Sequence, residues 1–155
     1  MKKPVLLAVD DNPVNQKVVS VLGERYGYEV VVVKSGREAL ELVDGGAFHF
    51  DAILMDLNMP VMDGLETTRQ IRELEKTKSR RIPIIGLSAH TSDSQSRECL
   101  AGGMDDYLSK PFDPAHFQKT LAHWTSGQGK TALRALPNKE AEEEKGKDQI
   151  ESASA

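Results

Sequence analysis

Ala52-Ile53-Leu54-Met55-Asp56-Leu57-Asn58-Met59-Pro60 decides how the rest of the chain is read. Four apolar residues in a row, closed by a carboxylate, fit a strand buried on both faces in the middle of a parallel sheet. The carboxyl end of such a strand is where open α/β sheets bind ligands. Taken alone, Asp56 reads better as the cap of a turn or helix, the commonest use of aspartate at strand ends. The residues predicted to share its sheet edge separate the two readings.

To either side of this run the same alternation recurs. Val5 to Val9 is a continuous apolar run stopped by Asp10-Asp11-Asn12. Pro13 suits the first turn of a helix, in which Val14, Val18 and Leu22 repeat at helical spacing before Gly27. Val30 to Val33 is a second strand, and Ser35 with Glu38 forms a capping box for a helix burying Ala39, Leu40 and Val43. A third helix starts near Gly64 and carries Leu65, Thr68, Ile71, Arg72 and Leu74. Ile84 to Leu87 is the fourth strand, with Pro83 tolerated at its start. Ser92 and Gln95 cap a fourth helix through Leu100, which Gly102-Gly103 stop. Asp106 to Ser109 is a short fifth strand, and Asp113-Pro114 opens a last helix to about Trp124. Strands alternating with helices in this way imply a parallel sheet covered on both faces.

A length of 155 residues allows one such domain, residues 1–125, and hardly two. Beyond it, residues 126–155 contain a charged block and no aromatic residue, so they are predicted to be a disordered, charged C-terminal tail. A net charge of −4 argues against nucleic acid as a ligand. The single cysteine, Cys99, permits no internal disulfide and fits a reducing cytoplasm. No apolar stretch reaches the length of a membrane span, so no membrane partner is expected. No GxxxxGK phosphate loop is present.

The carboxyl ends of the predicted strands carry Asp10 and Asp11, Asp56, Ser88 and Lys110. In a parallel sheet these ends share one edge. Clustered carboxylates repel one another unless a cation joins them or one takes up a proton. Oxygen ligands without histidine or cysteine point to Mg²⁺. Metal, lysine and hydroxyl together would neutralise or bond the oxygens of a phosphoryl group in a loose transition state.

These segments, with Met55 to Gly64, Gly86-Leu87-Ser88-Ala89 and Tyr107 to Phe112, resemble the receiver domains of two-component response regulators over residues 4–124. The resemblance implies a flavodoxin-like, doubly wound five-stranded parallel sheet of order 2-1-3-4-5 with five helices. It implies that Asp56 is the phosphoacceptor and carboxylate nucleophile, with Lys110 and Ser88 as the other catalytic groups. Asp11 is then the direct Mg²⁺ ligand and Asp10 acts through water, with Asp56 and the Asn58 carbonyl completing the protein's share. Ser88 and Tyr107 are the switch pair, and the Lys110-Pro111 bond is expected to be cis. Asn58, Met59 and His90 would tune dephosphorylation. A histidine kinase or histidine phosphotransfer protein is the expected donor. An unidentified downstream target would meet helix 4, strand 5 and helix 5. Asn15 and Val19 are expected to face the donor, with core-edge packing as the other reading of Val19.

Two further readings stay beside this one. The start near Met1 and the tail favour a stand-alone receiver, whereas loops such as Asp11 to Asn15 and Gly103 to Tyr107 resemble receivers of hybrid histidine kinases. An aspartate-nucleophile phosphohydrolase would need a second aspartate as general acid and base. Asn58 and Asn12 stand at those positions and cannot serve, so the chain is expected to catalyse only its own phosphorylation and slow dephosphorylation.

Overall fold

The computed structural model describes residues 3–78, 80–89 and 93–126. Its elements are β1 (Val5–Val9), α1 (Pro13–Arg25), β2 (Glu29–Val33), α2 (Gly36–Gly45) and β3 (Ala52–Asp56). They continue with α3 (Gly64–Glu75), β4 (Ile84–Ser88), α4 (Asp93–Ala101), β5 (Asp106–Ser109) and α5 (Pro114–Thr125). All strand pairs are parallel, and the sheet order is β2-β1-β3-β4-β5, as the resemblance implied. The predicted tail beyond Ser126, His90 and Ser92 lie outside the described residues. Among the described residues no helix is long and apolar enough to cross a membrane.

The two-residue period of a strand divides the core into two layers. Leu7, Val9, Ile53, Met55 and Ile84 point to one side, with Ala39 and Val43 of α2, Ile71 of α3 and Cys99 of α4. Leu6, Ala8, Leu54, Ile85 and Leu87 point to the other, with Val19 of α1 and Phe117, Leu121 and Trp124 of α5. Each large apolar side chain so buried stabilises the fold by about 1.5–3 kcal/mol. The strands are therefore apolar throughout, and their few polar residues gather at the ends.

Local signals set the helix starts. Asn12 accepts from the N–H groups of Val14 and Asn15 at 2.8 and 3.2 Å. Ser35 accepts from Glu38 N–H at 3.2 Å, and Glu38 reaches back to accept from Lys34 N–H at 2.9 Å. Asp63 caps α3 through Glu66 N–H at 2.8 Å. Asp113 has the backbone of a cap but makes no side-chain cap hydrogen bond.

For α1 the structure chooses between the two readings of Val19. Val14 and Val18 are 70% and 40% exposed, whereas Val19 and Gly23 are buried. Both pairs have the same i, i+4 spacing, so periodicity alone could not say which one turns inward. Gly23 faces Val30 with no room for a Cβ, which brings that side of α1 against β2. Val19 consequently packs in the core and cannot face a partner.

Candidate functional site

Asp10 follows β1 directly, and its N–H donates to the Val33 carbonyl at 3.1 Å, extending the β1–β2 ladder by one residue. Asp56 is the last residue of β3 and pairs in register with Leu87 of β4. Ser88 ends β4, opposite Ser109 of β5, and the next N–H, from Lys110, donates to the Ser88 carbonyl at 2.7 Å. The parallel register thus delivers Asp10, Asp56, Ser88 and Lys110 to one edge. The Lys110-Pro111 peptide is cis, as expected.

Asp10, Asp56 and Ser88 are buried, at 1%, 3% and 1% exposure, while Asp11 is exposed. Carboxylate oxygens of Asp10, Asp11 and Asp56 all lie within 4.8 Å of one another. Lys110 Nζ donates to Asp56 Oδ1 at 2.9 Å and to Asp10 Oδ2 at 3.3 Å. Asn58 N–H also donates to Asp56 Oδ1, at 3.3 Å. Among the described residues, both hydrogen bonds to the Asp56 carboxylate therefore fall on Oδ1.

Burial is the largest influence on the Asp56 carboxyl and pushes its pKa up. The Lys110 hydrogen bond pulls it back, and the negative charge of Asp10 adds to the rise. The result is a carboxyl above its ordinary value, short of positive charge even with Lys110 in contact. A divalent cation would supply that charge. The donor set is all hard oxygen, with no histidine or cysteine in the cluster, which suits Mg²⁺.

The other predicted site residues take varied places. Tyr107 is half-buried on β5, and its N–H donates to Asp106 Oδ1 at 2.8 Å. Asn58 is exposed at the mouth, and Met59 is buried in the loop beneath it. Gly64 explains the tight return of that loop, because a Cβ there would overlap the Asp56 carbonyl oxygen. Sequence reasoning missed Gln16, whose Nε2 donates to the Asp10 carbonyl at 2.6 Å. It also missed the backbone of Val61, fully exposed in the loop after β3 at φ 68°. Neither leaves a signal in a single sequence, since both depend on how α1 and the loop after β3 dock.

Residues 6–122 match the family model of the response regulator receiver domain. The chain is 42% identical over 126 residues to the sensor protein GacS of Pseudomonas syringae pv. syringae, covering 80% of this chain. It spans only 14% of the length of GacS. Among solved structures it is similar to the receiver domain of the sensor histidine kinase PA1611 from Pseudomonas aeruginosa PAO1, determined with a magnesium ion coordinated in the active site cleft. That match has 41% identity, a TM-score of 0.71, and coverage of 80% of this chain and 98% of that one. It is also similar to a Saccharomyces cerevisiae structure of the receiver domain of Ssk1 with the histidine phosphotransfer protein Ypd1. Here identity is 30%, the TM-score 0.71, and coverage 86% of this chain and 92% of that one.

Proposed function

The chain belongs to the response regulator receiver domain family, and on that premise we propose that Asp56 accepts a phosphoryl group from phosphohistidine on a kinase or phosphotransfer protein. The observation that carries this reading is the Lys110 ammonium 2.9 Å from Asp56 Oδ1, inside a cluster of three carboxylates at the sheet edge. Asp10, Asp11 and Asp56, with the Asn58 carbonyl, would hold Mg²⁺. When bound, the ion supplies Lewis-acid charge to the phosphoryl oxygens.

Asp56 Oδ2, which takes no hydrogen bond among the described residues, forms the new O–P bond. The P–N bond breaks, and its electron pair leaves with the imidazole of the donor. Lys110 is in place to follow the incoming negative charge, and the Ser88 hydroxyl to bond a phosphoryl oxygen. Closure of Ser88, with reorientation of Tyr107, would bias a two-state equilibrium in α4, β5 and α5, where a downstream target binds. Asn58, Met59 and His90 would govern the approach of water to the acyl phosphate. Asn58 has no carboxylate to relay a proton, which disfavours turnover of phosphoesters as substrates. The protein signals; it is not a phosphatase. The cytoplasm is the compartment in which such an exchange with a kinase would take place.

The donor's docking face is α1. Val14, Val18 and Val21 expose 70%, 40% and 52% of their surface, and Val61 stands fully exposed in the loop after β3. Such a stripe fits the apolar face of a helical bundle. The likeness to the receiver domain crystallised with a phosphotransfer protein supports this kind of partner.

The test is incubation with a small phosphodonor and Mg²⁺. One acid-labile phosphoryl group should appear, located at Asp56 by mass spectrometry, and should be absent from Asp56→Asn. Equal labelling of that variant would refute the assignment.

A further inference from the structure

Asp10 has every polar group engaged, and the partners differ in origin. Its N–H donates to Val33 of the sheet at 3.1 Å. Its Oδ1 accepts from Asn12 N–H at 3.0 Å, and its Oδ2 from Lys110 at 3.3 Å. Its carbonyl accepts from Gln16 Nε2 at 2.6 Å, from a half-buried side chain one turn into α1. That carbonyl belongs to the peptide joining Asp10 to Asp11. A peptide unit is planar and stiff, so pinning its oxygen fixes the direction in which the next residue leaves. Asp11 needs that help. Its side chain is exposed, and its carboxylate accepts no hydrogen bond among the described residues.

We infer that Gln16 is a positioning residue for the acidic cluster, holding the Asp10–Asp11 peptide so that Asp11 faces Asp10 and Asp56. It would not touch a bound cation. It would set how much order Asp11 has to acquire when one binds, and hence the affinity of the site. This inference rests on the reading of the cluster as a Mg²⁺ site. Hydrogen-bond partners one shell out from a metal typically alter affinity by about 10–100-fold. A purely structural role, tying α1 to β1, would instead make Mg²⁺ affinity follow stability.

Calorimetric titration of the full chain with Mg²⁺ separates these roles. Gln16→Met, similar in shape and lacking the N–H donor, should weaken Mg²⁺ binding about tenfold, and Gln16→Ala should act alike if the methionine variant does not fold. Val19→Ala, a core truncation on the same helix, should lower the melting temperature more than either. It should nevertheless keep the wild-type Mg²⁺ affinity. An unchanged affinity in the Gln16 variants overturns the inference, as does equal weakening by Val19→Ala. Wild-type protein that binds no Mg²⁺, or Asp11→Asn that binds it normally, would instead overturn the site reading, and this inference with it.

Discussion

Asp56 is 3% exposed and lies beside Asp10 at 1%, so its charge is held against both desolvation and repulsion. A carboxyl whose folded-state pKa is raised binds more protons in the folded than in the unfolded chain across that interval. Its ionisation therefore costs stability as pH rises from the unfolded value through the folded one, and the cost is absent below the unfolded value. In EDTA, Asp56→Asn should thus be more stable than wild type at neutral pH. Urea unfolding should show the gap closing as pH falls toward 4, on the order of the ordinary aspartate pKa. A gap independent of pH would contradict this account. Val61 poses a different conflict, because a β-branched residue at φ 68° occupies a region that such residues avoid. Asparagine tolerates that region, and the exposed valine side chain gives up no core contact. Val61→Asn should accordingly raise the unfolding free energy by about 1 kcal/mol. The acidic residues and Lys110 were legible in the sequence because strand ends are. Val61's backbone was not, because the fold of a whole loop imposes it.

Elements are held to one another at the opposite end of the sheet from the acidic cluster. Arg72 of α3 donates through Nε to the Gly103 carbonyl at 3.0 Å and through Nη1 to the Ile82 carbonyl at 2.8 Å. It also pairs with Glu75 and Asp105, each at 2.8 Å, and both carboxylates are buried. Asp105 in turn accepts from Ile84 N–H at 2.9 Å, and Glu75 from Ile82 N–H at 2.9 Å. One guanidinium therefore fixes α3 to the start of β4 and to the turn between α4 and β5. Replacing it by methionine leaves the buried Glu75 carboxylate without its guanidinium, while Arg81 still pairs with Asp105 at 2.8 Å, and chemical denaturation should report a loss of about 3 kcal/mol. Arg72 was placed on its helix from sequence and Glu75 is its i+3 neighbour there, but Ile82, Gly103 and Asp105 lie 10 to 33 residues away and no spacing rule connects them. The buried face of α1 was left open in the sequence for a related reason: two i, i+4 stripes overlap, and only contact with β2 chooses between them. The capping box of Ser35 and Glu38 needed no such context, since a cap acts within its own turn.

Across the whole molecule, residues far apart in the chain meet because parallel strands all end on one side. Lys110 and Asp10 are separated by 100 positions and lie 3.3 Å apart. The valine face of α1 adjoins this edge, so docking and chemistry can be tested separately. Val14→Glu with Val18→Glu should leave stability within about 0.5 kcal/mol, as exposed substitutions do. The same pair should slow phosphotransfer from a phosphohistidine protein at least several-fold and leave labelling by a small phosphodonor unchanged. Equal slowing with both donors would place the valines in the fold of the site instead of the docking face. The sequence by itself determined the alternation of strands and helices, the strand ends that carry Asp10, Asp11, Asp56, Ser88 and Lys110, and the capping box of Ser35 and Glu38. Those features arise from short-range periodicity and local hydrogen bonding. Tertiary structure alone decided which side of α1 is buried, that Gln16 grips the Asp10 carbonyl, and that Lys110 bridges Asp10 and Asp56. These are contacts between elements, fixed by how the helices pack on the twisted sheet and not by any neighbour in the chain.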